Sequence, residues 1–201
     1  MTQRVDQQLG NSQTYVQNLP VSLTPLIGRE QELQAARARL SRPQVRLMTL
    51  TGTPGVGKTR LAMALGAELL EEFERGACFI SLVPISDPDL VIPTIIHTLG
   101  LPESGNRSPL EHLAAYLREK QFLLLLDNFE HLLPELLATC PRLKLLVTSR
   151  TTLHVKGEYE FAVPPLAVPD LQSLPTYDTL SQIAAVELFL QNVETVKPGF
   201  A

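Results

Sequence analysis

Val45-Arg46-Leu47-Met48-Thr49-Leu50-Thr51-Gly52-Thr53-Pro54-Gly55-Val56-Gly57-Lys58-Thr59-Arg60-Leu61-Ala62 is the stretch on which the reading of this chain turns. Val45 to Leu50 reads as a buried strand. Gly52 to Thr59 then fulfils the pattern G-x-x-x-x-G-K-[ST] in full, and a helix pattern follows at once. Strand, glycine-rich loop and helix in that order are the context in which such a loop cradles phosphates. Gly55 and Gly57 let backbone N–H groups turn inward, and the helix start adds partial positive charge. Lys58 brings a point charge to the β and γ oxygens, and Thr59 offers a hydroxyl to Mg²⁺. The chemistry predicts ATP or ADP with Mg²⁺ as the ligand, held along Gly52, Thr53, Pro54, Gly55, Val56, Gly57, Lys58, Thr59 and Arg60. A chance match in a glycine-containing turn is the bland alternative, and the flanking pattern argues against it.

Outward from the loop, strands and helices alternate. Upstream, Leu33, Ala36 and Leu40 at helical spacing predict an amphipathic helix from Glu30 to about Leu40. Downstream, Leu61, Leu65, Leu69 and Phe73 predict a helix from Lys58 to about Phe73, with Gly76 past its end. Cys78 to Val83 reads as a strand. Asp87-Pro88 opens a helix that Gly100 ends and that Pro93 is expected to kink. Leu110, Leu113, Ala114 and Leu117 mark another, starting at Ser108 or Pro109. Phe122 to Leu126 is a continuous apolar run, suited to a central parallel strand covered on both faces. Phe129 to Ala138 should be helical, disturbed by Pro134. Leu143 to Thr148 and Glu158 to Val163 read as further strands, and Ile183, Val186, Leu190 and Val193 mark a last helix. The alternation means βαβ units and a parallel sheet.

Two further stretches carry chemistry. In Phe122-Leu123-Leu124-Leu125-Leu126-Asp127 an acid ends a buried strand. Mg²⁺ at the carboxyl edge of the sheet gives that carboxylate a role; capping the next helix is the alternative. Asn128 stands where many ATPases carry a second acid and cannot act as a base. Glu130, two residues on, is a candidate to activate water, or else a solvated carboxylate near a helix start. Leu145-Leu146-Val147-Thr148-Ser149-Arg150 would bring small polar residues and an arginine to the same edge. Arg150 is a candidate γ-phosphate sensor, the alternative being a surface side chain. His97, His112, His131 and His154 form no ligand pair.

Composition limits the partners. The 201 residues carry 17 Lys and Arg against 21 Asp and Glu, a net charge of −4. No basic stripe is present, so direct nucleic acid binding by this segment is not expected. The two cysteines, Cys78 and Cys140, read as ordinary buried thiols in a reducing cytoplasm rather than a disulfide or metal site. No apolar run approaches a membrane span, and the polar start has no apolar signal-peptide core. Residues 1–24 read as a polar leader or linker and 25–168 as the nucleotide-binding domain. Residues 169–201 read as a linker and the start of a helical domain that ends abruptly, as in a piece of a longer protein.

Taken in order, LIGRE at 26–30, TLTGTPGVGKTRLA at 49–62, FLLLLDNFEH at 122–131, LKLLVTSR at 143–150 and FAVPPL at 161–166 resemble the STAND class of signal-transduction ATPases. These are relatives of the NB-ARC domains of plant resistance and apoptosis proteins. The resemblance spans about residues 19–195 and is greatest to the branch found in large bacterial regulators. It implies a three-layer α/β fold with a five-stranded parallel sheet of order 5-1-4-3-2. It implies that Ile27, Gly28 and Arg29 lie against adenine and ribose, that Asp127 is the Mg²⁺ acid, and that Arg150 distinguishes ATP from ADP. Pro165 falls near a hinge to a following helical domain. Downstream helical and repeat sensor domains, and ATP-dependent self-assembly, are the implied partners. The stretch from His131 to Leu143 is shorter than is usual in the class.

Three functions compete. A nucleotide-dependent switch with slow ATP hydrolysis needs two states that the γ-phosphate separates in energy. A small-molecule kinase would need an arginine-bearing lid, and Arg75, Arg107, Arg118, Arg142 and Arg150 are isolated. A nucleotide-binding scaffold without turnover is consistent with Asn128. A GTPase is disfavoured because no Asn-Lys-x-Asp motif occurs.

Overall fold

The structure is a computed structural model, and it describes residues 16–20, 24–102, 105, 107–129, 133–197 and 199. Its strands are β1 (Val16–Gln17), β2 (Leu47–Thr51), β3 (Gly76–Ser81), β4 (Phe122–Asp127), β5 (Leu143–Thr148) and β6 (Glu158–Ala162). Its helices are α1 (Glu30–Leu40), α2 (Lys58–Leu69), α3 (Val91–Thr98), α4 (Pro109–Leu117), α5 (Leu133–Thr139), α6 (Tyr177–Ser181) and α7 (Ala184–Val196). The strands form one sheet in the order β1-β3-β4-β5-β2-β6, and every pairing is parallel. The five strands from β2 to β6 have the expected order 5-1-4-3-2. The difference is β1 at the edge. Val16 and Gln17 pair with Gly76 and Ala77, and the Asn18 side chain exchanges two hydrogen bonds with the backbone of Phe79. The polar leader therefore contributes a short strand, which its composition did not announce.

Side chains alternate across the sheet with period two. Phe122, Leu124 and Leu126 join a core with Ile95 of α3, Leu113 of α4 and Leu136 of α5. Leu123 and Leu125 point the other way, into a core with Leu40 of α1 and Leu61, Leu65 and Leu69 of α2. Burial on both faces is why β4 reads as an unbroken apolar run. Both thiols are buried, and burial pushes the Cys78 thiol up to about 12, partly offset by its bond from Asn18. Among the described residues no helix is long and apolar enough to cross a membrane.

The departures from the periodicity have local causes. The helix after the loop is α-helical only to Leu69 and tightens into a 3-10 turn over Leu70–Glu72. Asp87 caps a 3-10 turn over Pro88–Leu90, its side chain accepting from the Asp89 N–H, before α3 begins. That delay puts Pro93 in the first turn of α3, where its missing N–H has no intrahelical partner to lose, so the expected interior kink does not arise. Phe129, expected to open the next helix, is not helical, and α5 is described over Leu133–Thr139. Ser108 and Glu111 close a full capping box at the start of α4. The expected last helix is α7, the short α6 before it was not anticipated, and neither has a buried residue.

Candidate functional site

Residues 52–59 leave β2 and enter α2 at the carboxyl edge of the sheet. Gly57 is the residue before α2 and holds φ at +92°; Gly55 holds +84°. No protein atom lies within 4 Å of where a Cβ would stand at either, so backbone torsion rather than crowding calls for glycine there. α2 has no side-chain cap. Its first N–H groups are left to a ligand, which is the anion-binding arrangement of a helix start. Lys58 folds back over the loop and donates to the carbonyls of Gly52 at 2.9 Å and Thr53 at 3.0 Å. An ammonium has three donors, so one remains for a phosphate oxygen.

Register brings the acid to this loop. Asp127 pairs with Ser81 of β3 and with Thr148 of β5, at the ends of those strands. Its Oδ1 accepts from the Thr59 hydroxyl at 2.6 Å and from the Thr148 hydroxyl at 2.6 Å. The residue is 9% exposed, and two hydrogen bonds donated to its carboxylate offset much of the cost of placing it there. The donor set fits Mg²⁺: a carboxylate and a hydroxyl, both hard oxygen ligands, meet beside the phosphate loop, and an ion with few protein ligands keeps its waters. Among the described residues no group of three or more His, Cys, Asp or Glu gathers as a metal cage, so phosphate and water would complete the shell. Thr148 is the partner that sequence reasoning missed. The small polar residues ending β5 were the signal, but only register says which of them meets Asp127.

Next to the loop lies a cavity of about 460 Å³, lined by Leu26, Ile27, Arg29, Thr53, Pro54, Gly55, Val56, Gly57, Arg60, Pro165, Leu166, Val168, Ala185 and Leu188. It is mainly apolar and of a size suited to a nucleobase and sugar. Ile27, Arg29, Arg60 and Pro165 are thus brought together with the loop. Gly28 does not line the cavity; it packs against Ala184 at the start of α7. Arg29 lines it but has its guanidinium committed elsewhere, to Glu32 and to the carbonyls of Val56 and Pro164. Arg60 donates to Thr24 and to the Pro25 carbonyl, holding the segment before α1. Leu166, Val168, Ala185 and Leu188 were not anticipated. Nothing in their local sequence marks them, because they reach the cavity only when the chain after β6 returns over the loop.

Arg150 is exposed and lines a second, smaller cleft of about 230 Å³ with Ser86, Asn128 and Phe129. It lies at the expected edge of the sheet but outside the group around Asp127. Asn128 holds φ at +63°, and its N–H donates to both the carbonyl and the hydroxyl of Thr148 at 3.1 Å. The left-handed torsion suits Asn or Asp and disfavours β-branched residues. Glu130, the candidate for activating water, lies outside the described residues.

A parallel sheet of this order, with the loop after the interior strand β2 and an acid on β4, the next strand but one, defines a P-loop NTPase domain. Residues 42–160 match the AAA domain family, more than half of the chain, and the chain belongs to that family. A Mycobacterium tuberculosis protein provisionally named an HTH-type transcriptional regulator is 38% identical over 164 residues, 78% of this chain and 17% of its own. An uncharacterised protein of the same organism is 37% identical over 186 residues, covering 89% of this chain and 44% of that one. The ToMV resistance protein Tm-2(2) of Solanum lycopersicum is 29% identical over 109 residues, covering 52% of this chain and 12% of its own length. This chain therefore spans less than half the length of these relatives. Among solved structures, Cdc6p from Pyrobaculum aerophilum matches with a TM-score of 0.54 and 21% identity, covering 88% of this chain and 54% of that one. That likeness concerns the fold.

Proposed function

We propose that this chain is the ATP/ADP-binding module of a STAND-type signal-transduction ATPase. It acts as a nucleotide-dependent switch with slow ATP hydrolysis that controls assembly or transcriptional output. The observation that carries the reading is the cavity shared between the phosphate loop and the chain beyond β6. Val56 and Gly57 line one wall, and Pro165, Leu166 and Leu188 line the other. A ligand seated there touches both the fixed sheet edge and a segment that leads out of the domain. The likeness of part of the chain to a plant resistance protein, and of most of it to a provisionally named regulator, agrees with this reading.

Each residue has a task in it. The loop N–H groups and the start of α2 hold the β-phosphate, and Lys58 bridges toward the γ-phosphate. Thr59 and Asp127 would hold Mg²⁺, which when bound supplies Lewis-acid polarisation of the phosphate oxygens. Thr148 keeps the Asp127 carboxylate aimed at Thr59. Arg150, which lines the neighbouring cleft, acts in this reading as the γ-phosphate sensor, and Glu130 is the candidate base. The whole acts in the cytoplasm, with downstream helical and repeat domains as partners.

Calorimetric titration with Mg-ATP and with Mg-ADP, run beside Lys58→Ala, tests the proposal. Binding in the parent that disappears in the variant, with unequal affinities for the two nucleotides, is the expected result. Equal affinities and no change of assembly state in a longer form would reject the switch. A scaffold without turnover is the second reading, favoured by Asn128 at the position of a second acid. Phosphate release equal in the parent and Glu130→Gln would support it.

A further inference from the structure

Arg29 places a charge where a charge is costly. The residue is 4% exposed, close to the base-side cavity. Its Nη1 donates to Glu32 Oε1 at 2.7 Å, and its Nη2 donates to the Val56 carbonyl at 3.0 Å and the Pro164 carbonyl at 2.6 Å. Val56 belongs to the phosphate loop, and Pro164 follows β6. These two acceptors stand 27 and 135 residues away from Arg29 in sequence. Both hydrogens of one nitrogen are therefore spent on two distant backbone segments. A planar guanidinium fixes such acceptors relative to each other, which a rotating ammonium does not. Glu32 balances the charge and sets the plane.

The preceding residue makes a second tie to the same region. Gly28 has φ at +61°, and a Cβ there would stand 2.3 Å from the Cβ of Ala184. The Ala185 N–H in turn donates to the Ala167 carbonyl at 3.2 Å. Two consecutive residues thus touch the phosphate loop, the chain after β6 and the start of α7.

We propose that Arg29 is a positioning residue that couples the phosphate loop to the segment after β6, so that a polyphosphate on the loop tightens residues 166–168 without touching them. The inference rests on the nucleotide-binding reading above. Phosphate held by the loop N–H groups fixes the peptide planes of the loop, and with them the direction of the Val56 carbonyl. The guanidinium follows that carbonyl, and the Pro164 carbonyl follows the guanidinium. Arg29 then acts through other groups rather than on the nucleotide.

Hydrogen exchange followed by mass spectrometry tests this on the 201-residue chain. The probe is Mg-tripolyphosphate, which has no base or sugar to contact residues 166–168 directly. In the parent, exchange should slow at loop residues 55–59 and, about threefold or more, at residues 166–168. In Arg29→Lys the loop should still be protected while the response at 166–168 is lost. A merely structural arginine would leave the two responses linked in every folded variant. Protection of the loop with no response at 166–168 in the parent, or a full response in Arg29→Lys, overturns the proposal. If Arg29→Lys does not fold, Glu32→Ala keeps the guanidinium but removes the carboxylate that orients it, and an undiminished response there overturns the proposal equally. No protection of the loop in the parent refutes the nucleotide-binding reading itself, and the coupling with it.

Discussion

The phosphate side of the site and its base side are built in opposite ways. The phosphate side is one contiguous octapeptide, residues 52–59, supported by Asp127 and Thr148 from the two adjoining strand ends. The base side is gathered from four separate segments, around Ile27 and Arg29, Val56 and Arg60, Pro165 and Val168, and Ala185 and Leu188. Backbone groups and one lysine give the first its affinity for charge. Apolar side chains give the second its shape. The phosphate side should therefore fail abruptly when a single residue changes, whereas the base side should weaken gradually. The far wall of the base side is formed by residues that follow β6 in the chain.

Four substitutions can break or sharpen that contrast. Lys58→Ala should reduce affinity for Mg-ATP and for Mg-tripolyphosphate alike, on the order of 100-fold, since a charge-assisted contact to phosphate is lost. Calorimetry reads both, and an effect on ATP alone would contradict the assignment of Lys58 to phosphate. Asp127→Asn keeps an acceptor for Thr59 and Thr148 and so should fold. It should weaken Mg-ATP about tenfold while leaving Mg-free ADP unchanged. Equal losses with and without Mg²⁺ would count against Asp127 as the metal acid. Leu188→Ser should weaken ATP about fivefold through lost apolar burial and leave tripolyphosphate binding untouched. A loss for both ligands would mean that α7 supports the loop instead of the base.

The smallest effect lies in the sheet behind both regions. Thr49 in the middle of β2 is fully buried, and its hydroxyl has no hydrogen-bond partner among the described residues. Thr49→Val removes a buried polar group at similar volume and should raise stability by about 1 kcal/mol, with affinity unchanged. Denaturant titration measures it, and a fall in stability would show that the hydroxyl has a partner after all.

The contrast also explains how far the sequence could be read. Gly55, Gly57, Lys58 and Thr59 were legible because a phosphate loop is local: torsion, helix start and charge all lie within eight consecutive positions. Asp127 was legible because an acid ending an apolar run stands out against its neighbours. The strand order followed from the resemblance of five short motifs, not from periodicity, which says where strands lie but not which are adjacent. Arg29 was read as a residue against adenine and ribose. In the fold it lines the cavity beside the loop, and its guanidinium bonds two carbonyls and Glu32, ties invisible in the string GRE. The strand at Val16–Gln17 was hidden because two residues give no periodicity, and pairing with β3 is what makes them a strand.

By itself the sequence determined a parallel α/β domain with a phosphate loop, a strand-end acid and alternating buried faces, since each depends on residues near one another in the chain. Only the tertiary structure decided that Thr148 shares Asp127 with Thr59, that Gly28 and Arg29 tie the loop to the chain after β6, and that Leu166, Val168 and Leu188 close the cavity. Those contacts join distant segments, Arg29 and Pro164 alone standing 135 residues apart. No local propensity specifies them, and they exist only once burial of the two faces of the sheet has brought the segments together.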